Sequence, residues 1–231
     1  MDRENATPDR QQLLRLLQLS SPLLPVGGYS YSEGLEQTID RGIISDRGTL
    51  QAWIECELQT GAIRIETAMV DRAYLAGMTG EIARLRYWNQ WLCAARETEE
   101  LRLQSWQMGG SLVKLALELT PEIADSISAI GNPCNYAIAF GHVAQAWQIE
   151  REAAILAYVH TWVANQLSVG IKLIPLGQTA GQQILWQLQP NIDALARTIP
   201  TLADRDLYAC SWGLSLASMQ HETLYSRLFR S

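Results

Sequence analysis

The chain has 231 residues, with 18 Lys and Arg against 24 Asp and Glu; a net charge of −6 and no basic cluster exclude a surface built to track a phosphate backbone, so no nucleic-acid partner is expected. The length allows one continuous core, and no linker, low-complexity tract or internal repeat divides it. The polar start MDRENATPDRQQ lacks the basic and apolar runs of a secretory signal. The scattered Cys56, Cys93, Cys134 and Cys210 form no C-x-x-C pair and read as small buried hydrophobes of a reducing compartment, so the cytoplasm is the expected location.

In chain order, Asp9 with Gln12 can cap a first helix that buries Leu13, Leu16 and Leu17. Pro22 and Pro25 stop that helix near Leu19, and Gly27-Gly28 lets the chain turn. Ser30-Tyr31-Ser32-Glu33 has the spacing of a capping box and predicts a new helix from Ser30, with Tyr29 and Glu33 exposed. Asp46 or Ser45 can cap a helix with Leu50, Trp53, Ile54 and Leu58 on one face. From Glu81 to about Leu119 the pattern predicts one long helix, or two nearly collinear ones interrupted at Gly109-Gly110. Leu101, Ser105, Met108, Leu112 and Leu115 share its stripe, and Glu97 falls on the same inward face, where it needs a partner. Two adjacent glycines in a helix imply either a kink or the close approach of a neighbour.

Ala153 to Ile171 is a 19-residue stretch without formal charge. Its His160, Thr161, Asn165, Gln166 and Ser168 would be costly in hydrocarbon, so it reads as the central helix of a bundle and not as a membrane span. Pro175 ends that helix, Gly177 turns the chain, and Thr179 with Gln182 offers a second capping box. Pro121, Gly131-Asn132-Pro133, Pro190 and Pro200 mark further breaks. No alternating apolar run is bounded by hairpin turn residues, so the expected fold is all-α, a single-domain bundle of roughly eight to ten helices.

Motifs that would carry chemistry are missing. The sequence has no phosphate-binding G-x-x-x-x-G-K-[ST], no nucleophile elbow, and only His142, His160 and His221 without metal-ligand spacing, so no resident metal or cofactor is expected. His160 reads as a hydrogen-bonded core histidine. An all-helical enzyme using Glu97, Glu33 or His160 in an internal pocket stands as the alternative to a non-catalytic protein. The segment HETLYSRLFRS, residues 221–231, would place Leu224, Tyr225, Leu228 and Phe229 on one stripe of a helix. That stripe either docks on the protein's own core or orders against a partner.

Four motifs together resemble the urease accessory protein UreF family. They are Leu24-Pro25-Val26-Gly27-Gly28-Tyr29-Ser30-Tyr31-Ser32-Glu33-Gly34-Leu35-Glu36; Arg96-Glu97-Thr98-Glu99 with Ser105 and Met108-Gly109; Pro175 to Thr179 with Gly181-Gln182; and His221-Glu222 with Tyr225 to Ser231. The resemblance implies a helical homodimer that joins the accessory protein UreD/UreH and the GTPase UreG to deliver nickel to apo-urease. It implies that Tyr29, Ser30 and Glu33 face UreG, that the tail around Leu224, Tyr225, Arg227, Leu228 and Phe229 binds UreD/UreH, and that removing the tail spares the fold. A variant of this role is activation of GTP hydrolysis by UreG. Two positions depart from the family pattern: Asn135 stands where many members have His, removing a candidate nickel ligand, and Ala180 where an acid is common.

Overall fold

The computed structural model describes residues 10–231, and the Asp9 cap expected for the first helix lies outside them. The described residues form eleven α-helices and no strand: α1 (Arg10–Leu19), α2 (Leu35–Asp40), α3 (Arg47–Thr60), α4 (Ala62–Thr79), α5 (Ile82–Ala95), α6 (Glu99–Leu119), α7 (Ala124–Ile130), α8 (Tyr136–Ala146), α9 (Arg151–Leu173), α10 (Gln178–Thr198) and α11 (Trp212–His221). The all-α fold is as expected, with one helix more than the upper expected number.

The core is built on α4, α8 and α9. Every residue of α8 from Tyr136 to Ala144 is buried, so this helix is enclosed on all sides. Its closest neighbour is α4, and the contact depends on a missing side chain: a Cβ on Gly141 would lie 2.1 Å from the Val70 carbonyl oxygen. Gly109 does the same for α6, where a Cβ would lie 2.1 Å from the Cys134 carbonyl oxygen. Of the two roles open to Gly109-Gly110, close approach is the one realised, and α6 continues through both glycines.

The expected long helix from Glu81 breaks elsewhere. Arg96 leaves α5 with extended backbone, and Thr98 caps α6 by accepting from the Leu101 amide at 3.3 Å. This offset turns Arg96 inward and leaves Glu97 exposed, not on the inward stripe. Asn135 is fully buried and ties three helices: its backbone and side-chain N–H groups donate to Asn89 Oδ1 on α5, while its Oδ1 accepts from Ser105 on α6.

Asp46 caps α3 through the full reciprocal box with Thr49, as its position predicts. The Thr179/Gln182 box does not form, because Gly177 occupies the N-cap of α10, and Pro190 lies inside that helix instead of ending it. Glu150 caps α9, whose start is tied to α4 by Arg151 and Asp71 at 2.6 Å. No helix among the described residues is long and apolar enough to cross a membrane. Of the four cysteines only Cys134 is buried, and burial pushes its thiol up to about 12; Cys93 is half-buried, while Cys56 and Cys210 are exposed and do not serve as core residues.

Where α3 meets α4, the buried Glu57 carboxylate accepts from Ser211 Oγ at 3.0 Å, and that oxygen accepts from the Ala62 amide at 2.8 Å. Burial lifts the Glu57 carboxyl to about 7, against the pull of the Ser211 bond. The folded protein therefore holds this proton where the unfolded chain has released it. This carboxyl's contribution to stability becomes unfavourable as pH rises from the ordinary carboxylate range to about 7. Glu57→Gln should be more stabilising, relative to wild type, at pH 8 than at pH 5. Urea denaturation at the two pH values checks this, and a constant difference would refute it.

Candidate functional site

The Pro-Gly loop between α1 and α2 is bent by three left-handed residues: Gly27 at φ 73°, Glu33 at φ 53° and Gly34 at φ 80°. Only Glu33 carries a side chain there, which is an uncommon and costly backbone state. The expected helix from Ser30 does not form. Gly28–Ser30 makes a single 3₁₀ turn, Ser30 Oγ donates back to the Gly27 carbonyl at 2.7 Å, and α2 begins only at Leu35. Gly34 is required by contact as well as conformation, since a Cβ would lie 2.9 Å from the Ser218 nitrogen on α11.

The left-handed turn swings Glu33 into the interior, so it is neither a cap nor exposed. Its carboxylate accepts from Gln104 Nε2 at 2.7 Å and from Trp162 Nε1 at 2.8 Å. Burial, together with nearby Glu66, raises the Glu33 carboxyl. Tyr29 remains 68 % exposed, and Ser30 is half-buried.

The tail runs beside this loop. α11 ends at His221, and the following residues are not helical, so the expected helical stripe does not exist. The turns and bends of the tail divide its members between two sides: Phe229 is buried and Leu224 half-buried, while Tyr225 and Leu228 are exposed. The Arg230 amide donates to the Ser30 carbonyl at 2.8 Å, and the Ser32 amide donates to the Ser231 carbonyl at 2.7 Å. Ser231 Oγ donates to Gln104 Oε1 at 2.7 Å, which joins the tail to the group that holds Glu33.

A second buried carboxylate completes the attachment. Glu36 accepts from the Leu228 and Phe229 amides at 2.8 and 3.1 Å, and its Oε2 also faces His221 Nε2 at 3.0 Å. His221 is fully buried, and its Nδ1 faces Glu100 at 3.0 Å. The His221 ring thus bridges the two carboxylates, one ring nitrogen at each. Arg227 Nη1 closes the cluster by donating to Glu100 at 3.0 Å. Glu36, Glu100, Gln104 and Trp162 were not legible as site residues, because their partners come from distant parts of the chain; Glu36 and His221 are 185 positions apart. His221 and Glu222 do not act together: the first is enclosed and the second exposed. No group of three His, Cys, Asp or Glu among the described residues could hold a metal ion.

Beneath the loop lies a cavity of about 330 Å³, bounded by the loop, α4, α6, α8 and α9. Arg96 pairs there with Glu66, which also accepts from the Tyr158 hydroxyl at 2.8 Å. His160, expected in the core, is exposed at the cavity's edge, and Glu97 does not line it.

The family model described as UreF matches residues 44–189. A urease accessory protein UreF of Trichormus variabilis is 57 % identical over 94 % of this chain and 95 % of its own length. A urease accessory protein UreF of a Nostoc species is 56 % identical over 99 % of this chain and 100 % of its own length. A bifunctional urease accessory protein UreEF of Bordetella bronchiseptica is 41 % identical over 96 % of this chain, which spans 53 % of that relative.

His221 bridges Glu36 and Glu100, so removing the imidazole takes one partner from each carboxylate, leaving Glu36 the Leu228 and Phe229 amides and Glu100 the Arg227 guanidinium. His221→Ala should cost about 2 kcal/mol, the loss of hydrogen bonds to charged groups. Deleting residues 224–231 should also lower the melting temperature, contrary to the expectation from the tail's sequence. Thermal and urea denaturation followed by circular dichroism measures both; unchanged melting of either variant would contradict the clamp.

Proposed function

The chain belongs to the UreF family of urease accessory proteins, and from that premise we propose that it is a cytoplasmic, non-catalytic scaffold for urease maturation. In this role it works as a homodimer and joins UreD/UreH to the GTPase UreG, so that nickel, the cargo, reaches apo-urease. The loop and the tail form one docking face for UreD/UreH, and the assembled dimer recruits UreG.

One observation carries this reading: the tail and the loop are hydrogen-bonded side by side, yet both leave large apolar side chains in water. Tyr29 is 68 %, Leu228 75 % and Tyr225 fully exposed on segments whose backbones are paired at Ser30–Arg230 and Ser32–Ser231. Aromatic and aliphatic anchors on a pre-ordered backbone lose little conformational entropy on binding, which suits a protein-recognition face. The same pairing supports assigning loop and tail to one partner, in place of the separate partners that the motifs imply.

The Tyr225 and Leu228 side chains are exposed and the Leu228 amide survives truncation, so alanine at both leaves the fold intact, with an expected stability change within about 0.5 kcal/mol. The double variant Tyr225→Ala/Leu228→Ala, and Tyr29→Ala separately, should each reduce co-purification with UreD/UreH while the melting temperature stays constant. Retained co-purification by both would remove this face from the assembly.

A further inference from the structure

The cavity under the loop has a floor with an unbalanced charge. Glu33 and Glu66 both line it, with Arg96 as the one buried cation beside them. Arg96 is taken by Glu66, whereas the side-chain donors to Glu33 are the neutral Gln104 and Trp162. Two more polar atoms in its lining, Ser20 Oγ and Thr161 Oγ1, are buried without a hydrogen-bond partner and can accept. The walls contributed by Leu24, Val26 and Met108 are apolar. Pro22, Tyr29 and His160 are exposed residues of the lining, so the cavity opens beside the docking face proposed above.

We propose that this cavity receives a lysine or arginine side chain of the protein partner, its alkyl stem against the apolar walls and its cationic head at Glu33. The inference rests on the docking face of the preceding section and names the contact that anchors it. A basic side chain supplies both parts of the complement, since its stem is apolar and its head carries only donors. It brings the floor to two negative and two positive charges. An anion drawn to the free Arg96 Nε–H would instead be buried beside two carboxylates. The left-handed backbone at Glu33 fits the same role, because strain that aims a carboxylate into an open cavity is retained where the carboxylate has a ligand.

Two variants test the anchor through the dissociation constant for purified UreD/UreH. Glu33→Gln removes the charge and should weaken binding about a hundredfold, with melting at or above that of wild type because a buried carboxylate has been neutralised. Ala164→Trp fills the cavity from α9 with Glu33 intact and should weaken binding comparably. Alanine scanning of the partner's Lys and Arg residues should find one whose loss is not additive with Glu33→Gln. Wild-type affinity in both variants, or the absence of any coupled basic residue, overturns the anchor. If Tyr225→Ala/Leu228→Ala still weakens binding in that case, the docking face stands without it; if no variant on either weakens binding, both fall.

Discussion

A carboxylate buried at position 36 must find donors, and it finds the backbone amides of Leu228 and Phe229 and the ring of His221. The arrangement of the loop and the tail follows from that requirement. Satisfying Glu36 draws the tail across α2, and this brings Arg230 and Ser231 into register with Ser30 and Ser32. The register places Phe229 inward and leaves Tyr225 and Leu228 outside. Each amide bond to a charged acceptor is worth about 1.5–3 kcal/mol, whereas an unmet buried carboxylate would cost several, so the tail is held largely by the penalty for leaving.

The interior beneath the face uses a different balance. Arg96 and the Tyr158 hydroxyl both bind Glu66, while Glu33, one turn of loop away from Glu36, has only neutral side-chain donors. One carboxylate therefore serves to attach the tail and the other lies open to the cavity. Their separation depends on Glu33 and Gly34 sharing left-handed backbone, which points neighbouring acids of the same motif toward different surroundings.

Some local signals in the sequence are decided locally, although the Thr179/Gln182 spacing shows that a cap pattern alone does not make a cap. The Asp46 box, the prolines that end α1, and the small residue at Gly109 can each be explained within a turn or across one helix contact. The α5–α6 break was missed because Thr98 is an ordinary N-cap hidden inside an otherwise continuous apolar pattern. At Glu33 the same spacing fits a capping box and a left-handed turn, and only contact with Trp162 and Gln104 decides between them. The tail's apolar spacing suggests a helix, but its amides find a carboxylate acceptor far away in the chain, which no periodicity records. Helix content is legible outside the loop, the α5–α6 junction and the tail, whereas the candidate site is made of long-range polar contacts and is legible only as motifs.

The 185 positions between Glu36 and His221 also impose an order in time. A chain emerging from the ribosome exposes the Pro-Gly loop early, yet the donors for Glu36 are made only after α3 to α10 have followed. Until then the loop has no strand of tail to pair with, and the two carboxylates of the motif stay in water. The paired loop and tail thus form only once synthesis has passed through the bundle to residues 221–231.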